Sequence, residues 1–131
     1  MRQSWHGSGM TAGEHQLTGT LVYGHVEGVE DPAVLDDQGT ILLALRAACA
    51  MGGATVLRTV AHRFEPNGVT AIAVLAESHA AVHTYPDLGA YMLDVFTCGA
   101  DASPMTIAEQ VIWSLGGGQP RLRKVKRGPD G

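Results

Sequence analysis

Apolar side chains recur along this chain with two periods, which separate helices from strands. Asp31 and Pro32 suit the entrance of a first helical segment. Because Gly39 weakens that segment, we expect the regular helix to begin near Gln38, after a separate turn, and to end at Gly52-Gly53. The helical spacing is seen at Leu35, Ile41, Leu42, Leu45 and Ala48.

A second helix is predicted from residue 104 to about residue 115, where apolar residues again fall on one face. Pro104 suits a first turn, Ser103 can cap it, and the glycines at 116–118 stop it. Both helices are therefore bounded by residues that favour helix ends.

Short apolar and β-branched runs predict the strands. The run at 69–75 is almost continuously apolar, which is typical of a strand covered on both faces. Pro66 and Asn67-Gly68 predict a turn before it, so a hairpin is expected there. The predicted strands span residues 17–26, 54–63, 69–75, 79–85 and 90–97, and a final strand follows the second helix.

The order of elements is strand, helix, three or four strands, helix, strand. This order favours an α+β fold, a two-layer sandwich with two helices packed on one face of a mainly antiparallel sheet. The 131 residues suit a single domain over residues 17–131, preceded by a loose leader at 1–16. Only 5% of residues are aromatic, so the core is expected to be mainly aliphatic and to gain burial from a partner subunit.

Charge and hydropathy exclude several functional classes. The net charge is −4, and the basic residues of the C-terminal end alternate with Leu122 and Val125 without aromatic residues for base stacking. We therefore expect a solvated edge strand and no nucleic acid partner. No apolar run approaches the roughly 20 residues of a membrane span, and no signal peptide is seen, so a cytoplasmic protein with no membrane partner is expected.

Three common catalytic arrangements are not supported. A pyridoxal phosphate enzyme needs a lysine in a closed site, but Lys124 and Lys126 lie in the charged tail. His79 and His83 would lie about 13 Å apart on a strand, which disfavours a shared metal, and no metal is predicted. No G-x-S-x-G motif surrounds Ser78. Cys49 is read as a buried filler in its helix.

Three motifs together resemble the S-adenosylmethionine decarboxylase proenzyme family, in its short prokaryotic, pyruvoyl-dependent form. They are H-R-F-x-P-x-G-V at 62–69, E-S-H-x-x-x-H-T-aromatic-P-acid at 77–87, and D-x-F-T-C-G at 94–99. The resemblance covers the chain from about Leu17 and is strongest from residue 62 to residue 99. It implies an α+β proenzyme, or zymogen, that cleaves itself.

The resemblance implies autocatalytic cleavage between Glu77 and Ser78, into residues 1–77 and 78–131. The Ser78 hydroxyl would attack the Glu77 carbonyl to give an ester, and elimination followed by hydrolysis would leave a pyruvoyl cofactor at position 78. His83 would accept the proton in that elimination, assisted by Thr70, which replaces a serine of the relatives. Side chains alternate along a strand, so Ser78 and His83 can cooperate only if the chain bends at this junction.

For the mature enzyme, the resemblance implies a lyase that binds its substrate amine as a Schiff base and releases carbon dioxide. Cys98 would protonate the product carbon, Phe64 and Tyr85 would stack on adenine, and Asp87 would lie near the ribose. Tyr85 stands where relatives usually have tryptophan, and Asp87 where they have glutamate.

Decarboxylation of S-adenosyl-L-methionine for polyamine (spermidine) biosynthesis, by a homodimer of cleaved units, is the main interpretation. The alternatives are decarboxylation of L-arginine or L-ornithine on the same scaffold, and a non-processing regulatory or binding paralogue.

Overall fold

The computed structural model describes residues 17–129, which form a two-layer α+β sandwich. One layer is a six-stranded sheet and the other contains two helices, so the predicted fold class is confirmed. The predicted leader at 1–16 lies outside the described residues. The strands are β1 (Gly19–Glu27), β2 (Val56–Arg63), β3 (Val69–Leu75), β4 (Ser78–Tyr85), β5 (Ala90–Thr97) and β6 (Gln119–Arg127). The helices are α1 (Gln38–Met51) and α2 (Pro104–Ser114), and 3₁₀ turns span Pro32–Asp36 and Pro86–Leu88.

The sheet order is β2-β3-β4-β5-β1-β6, and every neighbouring pair is antiparallel. Strands β2 to β5 follow one another in the chain as a meander with short turns. Strand β1 lies between β5 and β6, so the two ends of the described chain pair with each other. The meander places the loop after β2 and the turn after β4 at the same end of the sheet, and the turn after β3 at the opposite end.

Both helices pack against the same face of the sheet. In β3, Ala71 and Ala73 are fully buried beneath them, whereas Ile72 and Val74 on the other face are 36% and 42% exposed. The expectation that residues 69–75 are covered on both faces is therefore wrong for the single chain, because both helices lie on one side. We call the other side the open face; one row across it is Val60, Ile72, Ala81, Asp94, Tyr23 and Arg123.

Side-chain caps fix where the helices begin. The Asp37 carboxylate accepts a hydrogen bond from Thr40 N at 3.2 Å, and α1 begins at Gln38 as predicted. The predicted cap of α2 is also confirmed, since Ser103 Oγ accepts a hydrogen bond from Thr106 N at 3.2 Å. Asp31 caps the 3₁₀ turn that corresponds to the separate turn expected before α1.

The basic C-terminal segment forms β6, an exposed edge strand, as the sequence predicts. Its side chains include Arg127, which lies over the ring of Phe96 on the open face at 4.5 Å from the ring centroid. Within residues 17–129, no helix is long and apolar enough to cross a membrane.

Candidate active site at a strand turn

The Glu77-Ser78 peptide lies where β3 turns into β4. Leu75 and Ser78 are paired across the two strands, so Ala76 and Glu77 form a two-residue hairpin turn. Ser78 has a φ of 155° and is the one non-glycine residue with positive φ in the described part of the chain. A side chain rarely adopts this backbone conformation, and such strain concentrates at functional sites. The chain therefore turns sharply at this junction.

Neighbouring segments hold both sides of the turn in place. Ala76 N donates to Thr55 O at 2.9 Å, and Thr55 N donates to Glu77 Oε1 at 3.1 Å. The Glu77 side chain is buried, with the residue only 3% exposed. On the other side, Cys98 N donates to the carbonyl oxygen of Glu77 at 3.0 Å. A backbone N–H at that oxygen would stabilise negative charge developing there.

The Ser78 hydroxyl lies against the imidazole of the next residue. Ser78 Oγ is 3.2 Å from His79 Nδ1. The His79 ring lies 5.9 Å, centroid to centroid, from the ring of Phe96, its cross-strand partner in β5. We name Glu77, Ser78, His79, Phe96 and Cys98 the junction cluster. The sequence motif contained His79, but its adjacency to Ser78 was the only signal, and no role was predicted for it.

A second group, the aromatic cluster, occupies the other end of the same strands; it consists of Phe64, Thr70, His83, Tyr85 and Asp87. Thr70 and His83 are cross-strand partners, and the Thr70 hydroxyl is hydrogen-bonded to His83 Nδ1. The His83 ring lies 5.8 Å from that of Phe64 and 4.8 Å from that of Tyr85. These three rings therefore form one aromatic surface.

Phe64, His83, Tyr85 and Asp87 line an open cleft of about 470 Å³. Asn67 Nδ2 donates to Asp87 Oδ1 at 3.1 Å, which orients the carboxylate. The three residues predicted to bind substrate, Phe64, Tyr85 and Asp87, therefore line the same cleft.

Asp36 fixes the loop that precedes β3. Its carboxylate accepts hydrogen bonds from Arg63 at 2.7 Å and from Gly68 N at 2.8 Å. The bond from Arg63, together with that from Gly68, lowers the pKa of Asp36. Because Phe64 lies between these two donors in the chain, this ion pair helps to position its ring in the cleft.

The structure does not bring all the predicted residues together. Ser78 and His83 are five residues apart on β4, which corresponds to about 16 Å along a strand. Among the hydrogen bonds of residues 17–129, none joins these two side chains. Within one chain, the cleavage site and its predicted proton acceptor are therefore separate.

The two cysteines lie in different surroundings. Cys98 is partly buried, and its pKa is raised by burial and lowered by the nearby Arg127 guanidinium. Cys49 is fully buried in α1, and burial together with the Glu77 carboxylate raises its pKa to about 11. An inert filler role suits Cys49. Among the described residues, no group of three or more His, Cys, Asp or Glu side chains could hold a metal ion.

Known proteins are similar to this chain in both sequence and fold. Residues 20–128 match the family model described as S-adenosylmethionine decarboxylase. An S-adenosylmethionine decarboxylase proenzyme of Prochlorococcus marinus is 40% identical over 97 residues, 74% of this chain and 78% of that protein. The S-adenosylmethionine decarboxylase proenzyme of Methanococcus maripaludis is 41% identical over 101 residues, which are 77% of this chain and 82% of that protein.

A solved structure agrees with these matches. The crystal structure of the adenosylmethionine decarboxylase from Aquifex aeolicus superposes with a TM-score of 0.73 at 26% identity, covering 86% of this chain and 91% of that one. The fold and these similarities define an enzyme of the S-adenosylmethionine decarboxylase class. The chain belongs to the S-adenosylmethionine decarboxylase family. The predicted family and enzyme class are confirmed.

Proposed function

We propose that this protein is a proenzyme that cleaves itself between Glu77 and Ser78 and then decarboxylates S-adenosylmethionine. The observation that carries the proposal is the geometry of the junction. Ser78 begins β4 with a φ of 155°, and the Glu77 carbonyl accepts a hydrogen bond from Cys98 N at 3.0 Å. A strained serine next to a polarised carbonyl is suited to attack by its own hydroxyl.

In this proposal, attack of Ser78 Oγ on the Glu77 carbonyl carbon converts the peptide bond into an ester. His83, oriented by the Thr70 hydroxyl, then accepts the α-hydrogen of residue 78, and elimination separates residues 1–77 from 78–131. Residue 78 is left as a dehydroalanine with a free amine; this tautomerises to an imine, and water hydrolyses the imine to a pyruvoyl group with release of ammonia.

The pyruvoyl group would supply an electrophilic carbonyl that withdraws electrons from the substrate when carbon dioxide leaves. The residues of the chain would do the rest. Cys98, held in its protonated form by burial, would deliver a proton to the product carbon. Phe64 and Tyr85 would stack on adenine, and Asp87 would accept hydrogen bonds from the ribose hydroxyls. An aromatic cleft favours a nucleoside substrate over arginine or ornithine.

We further propose a homodimer in which two open faces meet. The separation of about 16 Å between Ser78 and His83 leaves the site incomplete in one chain. The open face also exposes apolar side chains, with Met92 51% and Val60 56% exposed, which suits burial against a second copy. In an antiparallel pairing of two faces, the junction cluster of one copy can meet the aromatic cluster of the other.

The proposed product would serve polyamine synthesis, including that of spermidine. Both cysteines are free, which is consistent with the reducing cytoplasm that we propose as the location of this enzyme.

Denaturing electrophoresis tests the cleavage. The purified protein should separate into two fragments whose masses correspond to residues 1–77 and 78–131, with the second fragment blocked at its N-terminus. Ser78→Ala should remain one band, whereas the matched control Ser114→Ala, at an exposed serine of α2, should be cleaved normally. A single intact band for the unaltered protein would refute self-cleavage.

Carbon dioxide release from labelled S-adenosylmethionine, arginine and ornithine tests the substrate. Release from S-adenosylmethionine alone is expected. Release only from arginine or ornithine would refute the proposed substrate, and binding without release by an intact chain would favour a regulatory paralogue.

A further inference from the structure

We propose that His79 is the base for the first step of self-cleavage, taking the proton from the Ser78 hydroxyl. This inference rests on the proposed self-processing and assigns a step that His83 cannot perform within the same chain. It concerns the formation of the ester, whereas the proposed role of His83 concerns its later elimination.

The imidazole of His79 lies within hydrogen-bonding distance of the Ser78 hydroxyl. His79 Nδ1 is 3.2 Å from Ser78 Oγ, within the 2.6–3.2 Å reach that a general base requires. Among residues 17–129, this is the hydrogen bond that the structure gives to the Ser78 hydroxyl. The nucleophile and its base are thus already paired in the uncleaved chain.

The surroundings keep the imidazole in this position. His79 pairs with Val74 in β3 and with Phe96 in β5, so backbone ladders hold it on both sides. Its ring lies 5.9 Å from the Phe96 ring, centroid to centroid, and the Arg127 guanidinium lies over the Phe96 ring at 4.5 Å from its centroid. The ring of His79 therefore rests on an aromatic side chain that is itself held by a cation–π contact.

One imidazole, that of His79, accepts the proton in this step and later returns it. His79 begins neutral, with its proton on Nε2, so that Nδ1 can accept. The Ser78 O–H bond breaks, its proton moves to Nδ1, and the oxygen lone pair forms a bond to the Glu77 carbonyl carbon. The carbonyl π electrons move to the oxygen that Cys98 N–H stabilises.

Collapse of this intermediate breaks the bond between that carbon and Ser78 N. The leaving nitrogen takes the proton back from His79 and becomes a free amine, and the Glu77 carbonyl is restored as an ester of Ser78 Oγ. No oxidant, metal or external proton is consumed. A single imidazole can act as base in the first half of the step and as acid in the second.

The test compares His79→Asn, whose amide can keep a hydrogen bond to Ser78 but cannot accept a proton, with His79→Gln and the matched control His25→Asn. His25 lies on β1, bonded to Glu27, and is absent from both clusters. Cleavage is followed by denaturing electrophoresis, with and without hydroxylamine, which cuts at an ester but not at a peptide bond. Circular dichroism and thermal unfolding establish that each variant is folded.

We expect both His79 variants to cleave about 100-fold more slowly than the unaltered protein, the lower end of a general-base contribution. Hydroxylamine should not accelerate their cleavage, because formation of the ester is then the slow step and no ester accumulates. By contrast, His83→Ala should accumulate the ester and be cut by hydroxylamine. His25→Asn should cleave normally.

Two outcomes would overturn the inference while leaving self-processing intact: normal cleavage of folded His79→Asn and His79→Gln, or rapid cutting of these variants by hydroxylamine. If the unaltered protein itself stays whole with and without hydroxylamine, the proposed function fails instead. If one His79 variant does not fold, the cleavage rate of the other tests the role of His79.

Discussion

The hydroxyl of Thr70 and the Nδ1 atom of His83 are hydrogen-bonded across the β3–β4 pair. An imidazole whose Nδ1 is engaged has its orientation fixed and its other nitrogen left to accept or donate a proton. Thr70 is therefore expected to act on the elimination step through His83, although it lies about 16 Å along the strands from the Ser78 of its own chain.

Replacing Thr70 by Val, which keeps the shape but removes the hydroxyl, should slow fragment formation by about tenfold, since such a bond contributes roughly 1.5 kcal/mol. Thr70→Ser keeps the hydroxyl and should cleave at nearly the normal rate. Time courses on denaturing gels provide the measurement. Equal rates for the Val and Ser variants would show that the hydroxyl does not assist His83.

The buried Glu77 side chain stabilises the turn before cleavage. Its Oε1 accepts the hydrogen bond of Thr55 N at 3.1 Å, and Glu77→Ala would leave that N–H unsatisfied. We expect a loss of about 1–3 kcal/mol in the free energy of unfolding. Urea denaturation measures it in chains that also carry the Ser78→Ala substitution, so that they stay uncleaved. Glu77→Gln retains an oxygen acceptor and should lose much less. Equal losses for the Gln and Ala variants would contradict this account.

Tyr85 should determine nucleoside affinity more than turnover. Its ring forms part of the cleft beside His83, with ring centroids 4.8 Å apart. Tyr85→Leu removes stacking worth about 0.5–1.5 kcal/mol and should raise KM for S-adenosylmethionine by about 3- to 10-fold with little change in kcat. Tyr85→Trp keeps an aromatic face and should leave KM close to normal. A fall in kcat alone for Tyr85→Leu would place the ring outside the adenine site.

The proposed dimer predicts that a charge on the open face separates the copies. Ile72 is 36% exposed on that face, and Ile72→Asp should give a monomer by sedimentation velocity. Leu43 on α1 is 71% exposed, and the matched variant Leu43→Asp should remain dimeric because it lies on the helical layer. A dimer for both variants would exclude the open face as the interface.

Shared sites also predict complementation between two inactive chains. Ser78→Ala keeps His83, and His83→Ala keeps Ser78, so a mixed dimer contains one complete site. Co-expression of the two should cleave part of the His83→Ala chain, although each alone yields no pyruvoyl fragment. No cleavage in a verified mixed dimer would mean that Ser78 and His83 of one chain act together.

The helices and strands were predicted well, because they depend on local patterns. The helix start at Gln38 follows from Gly39 and a capping residue. The bend at Ser78 was expected only because the family resemblance makes Ser78 and His83 cooperate, whereas alternation alone points the two side chains to opposite faces. The position of β1 between β5 and β6 could not be predicted, because pairing of distant strands leaves no local pattern.

The arrangement of the site was harder to predict than its residues. A spacing of five residues makes Ser78 and His83 close in sequence, yet an extended strand moves them to opposite ends of the sheet. The hydrogen bond from the Cys98 backbone N–H to the Glu77 carbonyl joins residues 21 positions apart, and it forms only when the segments that flank β4 and β5 come together.

The raised pKa of Cys98 predicts how kcat depends on pH. Burial raises this pKa, so the thiol stays protonated further into the alkaline range, while Arg127 opposes the shift. If Cys98 donates a proton to the product carbon, kcat should be high below this pKa and fall as the pH rises through it. Replacing Arg127 by Gln removes the opposing charge, so the pKa should rise further and the alkaline limb of kcat should move to higher pH.

Arg127→Lys keeps the charge and should leave the alkaline limb near its normal position, which separates the effect of charge from that of the lost contact with Phe96. Cys98→Ser should reduce kcat by about 100-fold or more, because an alcohol is a far weaker proton donor. The pH profiles should be measured on fully cleaved protein, since the same residues border the cleavage site. An alkaline limb that moves to lower pH in Arg127→Gln, or stays fixed, would assign the titrating group to a residue other than Cys98.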